Sequence, residues 1–133
     1  MDKIEIKPKY IRVLTIMFIV LLLSIILIAN IGLGPVVFTF LKYIPGGDKT
    51  GHFFLIGLLS FFVNLSTGAK TTRLKSLTVL KGSLIVSALV TLEEVSQLFL
   101  KHRGFDLMDL FFDAAGIFVF GRLAKWLTRH MLY

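Results

Sequence analysis

The sequence contains no cysteine. Disulfide staples, thiolate zinc sites and cysteine nucleophiles are therefore excluded. No two of its histidines, His52, His102 and His130, have metal-binding spacing, so a metal would need carboxylates together with His52. No G-x-S-x-G elbow is present, and Ser96 has no evident base. Gly47-Asp48-Lys49-Thr50 resembles the end of a phosphate-binding loop, but an aspartate stands where the second glycine belongs and no upstream strand is expected. There is no repeat or low-complexity tract, and 133 residues suffice for one small domain and not two. Acid is scarce, with 8 acidic against 15 basic side chains and a net charge of +7.

What is abundant is apolar surface. Hydrophobic residues make up 56% of the chain and the mean hydropathy is +0.83. Soluble domains run at about half, and a core of this size could not hide the excess from water. An all-α polytopic membrane protein with four spans, at about 11–31, 50–65, 79–101 and 106–127, is expected. Lys3, Lys7, Lys9 and Arg12 precede nineteen uncharged residues, Val13 to Ile31. That run is long enough to cross about 30 Å of hydrocarbon. It is too long for a signal-peptide core and has no convincing small-x-small cleavage site after it, so an uncleaved first helix is expected.

Gly32-Leu33-Gly34-Pro35 breaks this helix. Val36 to Tyr43 is too short to span and reads as a re-entrant or interfacial segment of the first external loop. Asp48 or Thr50 is expected to cap the second helix. Asn64 to Lys81 reads as a polar loop. In the third helix Ser83, Ser87 and Thr91 recur every four residues and suggest a small, polar packing stripe leading towards Glu94 and Gln97.

Four spans put both termini on one side. The two ends of the chain and the 64–81 loop carry eleven Lys and Arg, against four in the other two loops. The positive-inside rule then predicts cytoplasmic termini, with Tyr10, Trp126 and Tyr133 at the cytoplasmic interface. Orientation and attraction to anionic lipids account for the basic charge, so membrane lipids are the expected partners and nucleic acid is not.

The chemistry-bearing residues cluster at the opposite end. Helical rise puts Glu93 roughly 12 Å below Lys101, and Asp113 roughly 10 Å below Asp106. Three helices thus bring polar groups to similar depths, which predicts one external pocket holding His52, Glu94, Gln97, Arg103 and Asp109. Ionisable groups are costly inside a membrane and usually have a use there. Glu94 and Gln97 share a face, and Glu93 also reaches Gln97. One of the two adjacent glutamates should face the pocket while the other pairs with Lys49, His52 or Arg103. Asp106, Asp109, Asp113 and Gly116 form one face of the fourth helix, with Asp106 as its N-cap. His52 with Asp48 at i−4 suggests a base and its orienting acid. Arg103 could clamp a phosphate or carboxylate in a bidentate way, and Lys49 could bind one as a point charge. The rival interpretation is that these groups only lock helices together.

The pattern Asp48-Lys49-x-x-His52-Phe53, Glu94-x-x-Gln97-x-Phe99, Arg103 and Asp109-x-x-x-Asp113-x-x-Gly116 resembles the VanZ-like family, from Asp48 to the C-terminus. The resemblance implies a small bacterial membrane protein of the cell envelope, in a family named for resistance to the glycopeptide teicoplanin. This chain departs from the family in having Asp113 where asparagine is usual, so Asp113 must be protonated or paired. The resulting expectation is a site that handles an anionic lipid-linked or wall-related group, a cell-wall precursor or a glycopeptide. Lys49 and Arg103 would bind the anion, with Asp48, Gln97 and Asp113 as further binding residues. His52, Glu94 and Asp109 would position it or transfer protons. A membrane-embedded hydrolase or transferase using the same residues, and a structural or assembly protein, are the alternatives.

Overall fold

The computed structural model describes residues 4–101, 103–130 and 132. Lys3, His102 and Tyr133, which entered the sequence reading, lie outside them. Helix α1 (Pro8–Asn30) starts on a proline at N1, where the missing N–H costs nothing. It ends in a Schellman turn. Gly32 N donates to Ala29 O and Leu33 N to Ile28 O, while Gly32 takes φ 86°, which glycine adopts without penalty. A short helix, α2 (Gly34–Val37), and a 3₁₀ turn (Thr39–Tyr43) follow, and as expected this stretch is too short to span.

Helix α3 (Gly47–Ser66) begins earlier than expected. Its N-cap is Gly46, and neither Asp48 nor Thr50 caps it; Asp48 lies in the first turn and the Thr50 hydroxyl donates to Pro45 O. The expected polar loop is in fact a two-stranded antiparallel hairpin, β1 (Thr71–Leu74) and β2 (Leu77–Leu80), turning at Lys75-Ser76. Threonine, valine and leucine suit such strands. Helix α4 (Lys81–Ser96) tightens into a 3₁₀ turn (Gln97–Phe99), shorter than the expected run to Lys101. Helix α5 (Leu107–His130) ends the fold, and Asp106 caps it as expected, its Oδ1 accepting from Met108 N at 2.9 Å.

Helix α3 is the centre, packed by α5, α1 and α4. One end of the bundle joins the start of α1 to the ends of α3 and α5 through Ile11, Leu65 and Ala124. Val86, Val90 and Ile117 form a second apolar cluster. The buried stripe of α4 is Gly82, Val86, Val90 and Glu94. It lies one residue away from the expected Ser83, Ser87 and Thr91, and Thr91 is exposed. Valine fills the space between helices that the serines were expected to occupy. Only Ser83 of that set joins a polar network, accepting from Asn64 Nδ2 at 2.8 Å while its backbone N–H donates to Asn64 Oδ1.

The distribution of polarity is reversed relative to a water-soluble domain. The largest fully buried side chains are Gln97, Glu94, Val86, Asn64, Asp113 and Ser60, while long rows of leucine, isoleucine, valine and phenylalanine face outward. Buried polar groups and extended exposed apolar surface are the informative departures from normal burial. Two helices, Pro8–Asn30 and the Lys81–Phe99 run, are long and apolar enough to cross a membrane. Only 17% of the most apolar stretch of the first is buried within the protein, so most of its apolar surface lies outside the core. Helix α1 is nevertheless bound to the bundle, since the Thr15 hydroxyl reaches Phe62 O at 3.2 Å and the Ser66 hydroxyl at 2.7 Å.

Helices α3 and α5 meet backbone to backbone. A Cβ on Gly116 would run into Phe53 O and the Gly57 Cα. Gly116→Ala should therefore destabilise by about 1–3 kcal/mol through overpacking. Gly51 has open space around it, so Gly51→Ala should be neutral or stabilise by up to about 1 kcal/mol. SDS-titrated unfolding of the two purified variants checks the contrast, and equal stability would contradict the close crossing.

Candidate functional site

At the end of the bundle opposite the hairpin, the first turns of α3 and α5 present their ionisable residues to each other. The period of α5 puts Asp109, Asp113 and Gly116 on its buried face. The close crossing at Gly116 then brings Lys49 and His52 of α3 within reach of these carboxylates. Lys49 Nζ donates to Asp106 Oδ2 at 2.6 Å and also to Asp109 Oδ1, and lies 3.7 Å from Asp48 Oδ2. Asp106, at the solvent-facing mouth, is held below the usual carboxylate range by the hydrogen bond from Lys49, and further by the Met108 N–H.

His52 lies one turn deeper. Its Nδ1 is 2.9 Å from Asp113 Oδ1, and its Nε2 faces Asp109 Oδ2 at 3.5 Å and Asp48 Oδ1 at 3.9 Å. Asp113 is almost wholly buried, as is the Asp109 side chain, whereas Asp48 is 66% exposed. The His52–Asp48 pair expected at i−4 is thus present, but the closer partner of the ring is Asp113. A carboxylate on one ring nitrogen fixes the orientation of the imidazole and leaves the other nitrogen for chemistry.

The two adjacent glutamates part as expected. Glu94 is fully buried. Its Oε1 accepts the Asp106 N–H at 2.9 Å and its Oε2 accepts Gln97 Nε2 at 3.2 Å. Glu93 accepts Gln97 Nε2 at 2.9 Å and lies 3.8 Å from Arg103. Arg103 also donates to Asn30 Oδ1 at 3.1 Å, so its contacts tie α1 and α4 to the α4–α5 loop rather than reaching the His52 group.

The eight expected site residues therefore form one continuous chain of contacts with Arg103 at its far end. Asp48, Lys49, His52, Asp109 and Asp113 meet directly, and Glu94 joins them through the Asp106 N–H and links them to Gln97. Arg103 does not touch the His52 group and is reached through Glu93, which shares the Gln97 amide with Glu94, and it also contacts Asn30. Sequence reasoning missed Asp106 as a partner of Lys49 and Asn30 as a partner of Arg103; in both cases the partner lies more than fifty residues away in the chain. Asp48, His52 and Asp109 offer ligand atoms all within 4.8 Å of one another and are the residues that could hold a metal ion. Lys49 already brings a positive charge to two of them.

The charge balance bears on what can enter. Asp48, Glu93, Glu94, Asp106, Asp109 and Asp113 face Lys49, Arg103 and His52, and Lys49 and Arg103 are each engaged by carboxylates. An arriving anion would have to displace those partners.

The Lys49–Asp109 pair is part-buried, with Lys49 27% and Asp109 9% exposed, and leaving a buried acceptor without its donor costs about 1–3 kcal/mol. Lys49→Met should lose stability on that scale, and Lys49→Met with Asp109→Asn should recover a large part of it. SDS-titrated unfolding of the four members of this cycle measures the coupling, and additive losses would show that the pair is not linked. The Asp106 contribution has a definite sign with pH. A carboxyl depressed on folding stabilises fully above its unfolded value of about 3.9 and ceases to do so as pH falls through the lower folded value.

Compared with protein-family models, curated proteins and solved structures, the chain matches none.

Proposed function

We propose that the chain is a four-span protein of the bacterial cell membrane, of the VanZ-like type its spaced motifs resemble, with both termini in the cytoplasm. In this proposal its external polar cluster acts on a lipid-linked or wall-related group. Support for four spans comes from the lengths of α3 and α5, 20 and 24 residues, against the roughly 20 needed to span, and from their packing beside α1 and α4. Their ionisable residues lower the hydropathy of both helices while lying on faces turned inward, towards each other.

The observation that carries the functional proposal is His52, held by Asp113 on one nitrogen and facing Asp109 and the exposed Asp48 with the other. Imidazole is the side chain whose ordinary pKa lies near neutrality. A group arriving beside Asp48 could exchange a proton with Nε2 while Asp113 holds the ring. The surplus of carboxylates favours a hydroxyl-, amide- or amine-bearing part of that group as the portion that meets His52, in preference to the phosphate or carboxylate expected from Lys49 and Arg103. This arrangement suits proton transfer in a hydrolase or transferase as well as a binding role.

A structural role is the second reading, favoured by the contacts that Lys49 and Glu94 each make with Asp106 across elements. His52→Gln and Asp48→Asn separate the two. Asp48 is exposed, so Asp48→Asn should melt like the parent. In a teicoplanin-tolerance assay both variants should lose at least about tenfold of the protein's effect if His52 handles a proton, the scale on which positioned acid–base groups act. Unchanged tolerance in folded variants of both would favour the structural role.

For topology, a cytoplasmic reporter fused after residue 133 should be active, and one inserted at residue 43 inactive. The reverse pattern would overturn the four-span arrangement.

A further inference from the structure

At the hairpin end a cavity of about 200 Å³ lies between the hairpin, α4 and α5. Thr71 and Thr78 from the strands, Ser83 from α4, and Phe118, Arg122 and Lys125 from α5 line it. Arg122 and Lys125 are three residues apart and so project from the same side of α5. The Arg122 guanidinium lies 5.4 Å over the Phe118 ring, which orients it along the wall. Every ion pair among the described residues belongs to the opposite end of the bundle. Of the chain's acids, only Asp2 and Glu5 belong to the hairpin end by sequence, where Lys70, Arg73, Lys75, Lys81 and Arg129 add further positive charge.

We propose that this cavity is a binding site for the headgroup of one anionic phospholipid. Two cations and the threonine hydroxyls suit a phosphate, since ammonium, guanidinium and hydroxyl groups can all donate to its oxygens. Charge complementarity selects an anionic headgroup over a zwitterionic one. Phe118 is 64% exposed and opens the wall outward, where an acyl chain finds apolar surface. A soluble phosphate would use the cations alone; a lipid also uses this wall. The proposal rests on the membrane reading of the chain, and on neither the His52 cluster nor the VanZ-like resemblance.

The test uses the full chain in dodecyl maltoside. Unfolding temperature and native mass spectrometry are followed while phosphatidylglycerol, phosphatidylcholine of the same chain length, or inorganic phosphate is added. Phosphatidylglycerol should bind saturably with one tight site and raise the unfolding temperature; the other two should not. Each cation near an anionic headgroup contributes about fivefold, so Arg122→Gln with Lys125→Gln should weaken binding roughly thirtyfold. Lys7→Gln with Lys9→Gln removes equal charge from the same end and should change it less than threefold. If circular dichroism shows the first pair misfolded, Thr78→Trp, an exposed strand position, fills the cavity without altering charge and should itself block binding. Equal losses in the two lysine and arginine pairs, tight binding that survives Thr78→Trp, an equal response to phosphatidylcholine, or the same response to inorganic phosphate would each overturn the lipid site.

Discussion

The contact of Lys49 with Asp106 and Asp109 is the interaction on which the polar end of the molecule depends. It spans the seam between α3 and α5 and includes a carboxylate whose side chain is only 9% exposed. A buried carboxylate without a partner is costly, so the ammonium makes it tolerable for α5 to turn this face inward. That orientation also determines where Asp113 meets His52 and where the Asp106 N–H meets Glu94. The contact requires the two helix axes to approach closely, which the glycines at 57 and 116 permit. Backbone packing and site geometry are consequently one constraint, because a side chain at either glycine would push Lys49 and His52 away from their carboxylates.

Two polar layers hold the bundle, with apolar packing between them. One is the Lys49–His52–aspartate layer. The other is Asn64 with Ser60 and Ser83, where Asn64 Nδ2 donates to the Ser60 hydroxyl at 3.2 Å and to Ser83 at 2.8 Å. Val86, Val90 and Ile117 lie between the layers. In hydrocarbon, apolar helix faces gain little by leaving lipid for one another, and association falls to close packing, small residues and hydrogen bonds. The fold follows that logic. Small and polar residues occupy the helix seams, and the large apolar side chains cover the outside.

Much of this was legible in the sequence. The spacing of Asp109, Asp113 and Gly116 marked an inward face of α5, and Glu94 with Gln97 marked the inward end of α4, because a helix repeats on a local period. The Glu93–Glu94 division of labour followed from the impossibility of adjacent residues pointing the same way. What was not legible depends on distant partners or on competition between side chains. Asn30 carries no local sign that it will accept from Arg103. The hairpin was hidden because its strands are four residues each and sit among lysines. The packing stripe of α4 was misplaced by one residue because size was weighed without volume: Val86 and Val90 fill the seam, and serines at those positions would leave voids. The helix α3 caps were misplaced because Gly46 in a left-handed turn starts the helix before Asp48 is reached.

The ends of the bundle differ in charge, and the dipoles of α3 and α5 favour part of that distribution. Asp48 and Asp109 occupy the first turns of α3 and α5, and Arg129 occupies the last turn of α5. Peptide dipoles favour anions at helix starts and cations at helix ends, an effect confined to the terminal turns. Two antiparallel neighbours of α1 and α4 therefore direct their positive ends to the same side and support a concentration of carboxylates there. At the other end the last turn of α5 favours Arg129, whereas Lys81 starts α4 against the dipole. Lys49 and Arg103, the cations expected to bind an anion beside His52, are each paired with carboxylates, while Arg122 and Lys125 at the hairpin end form no ion pair among the described residues.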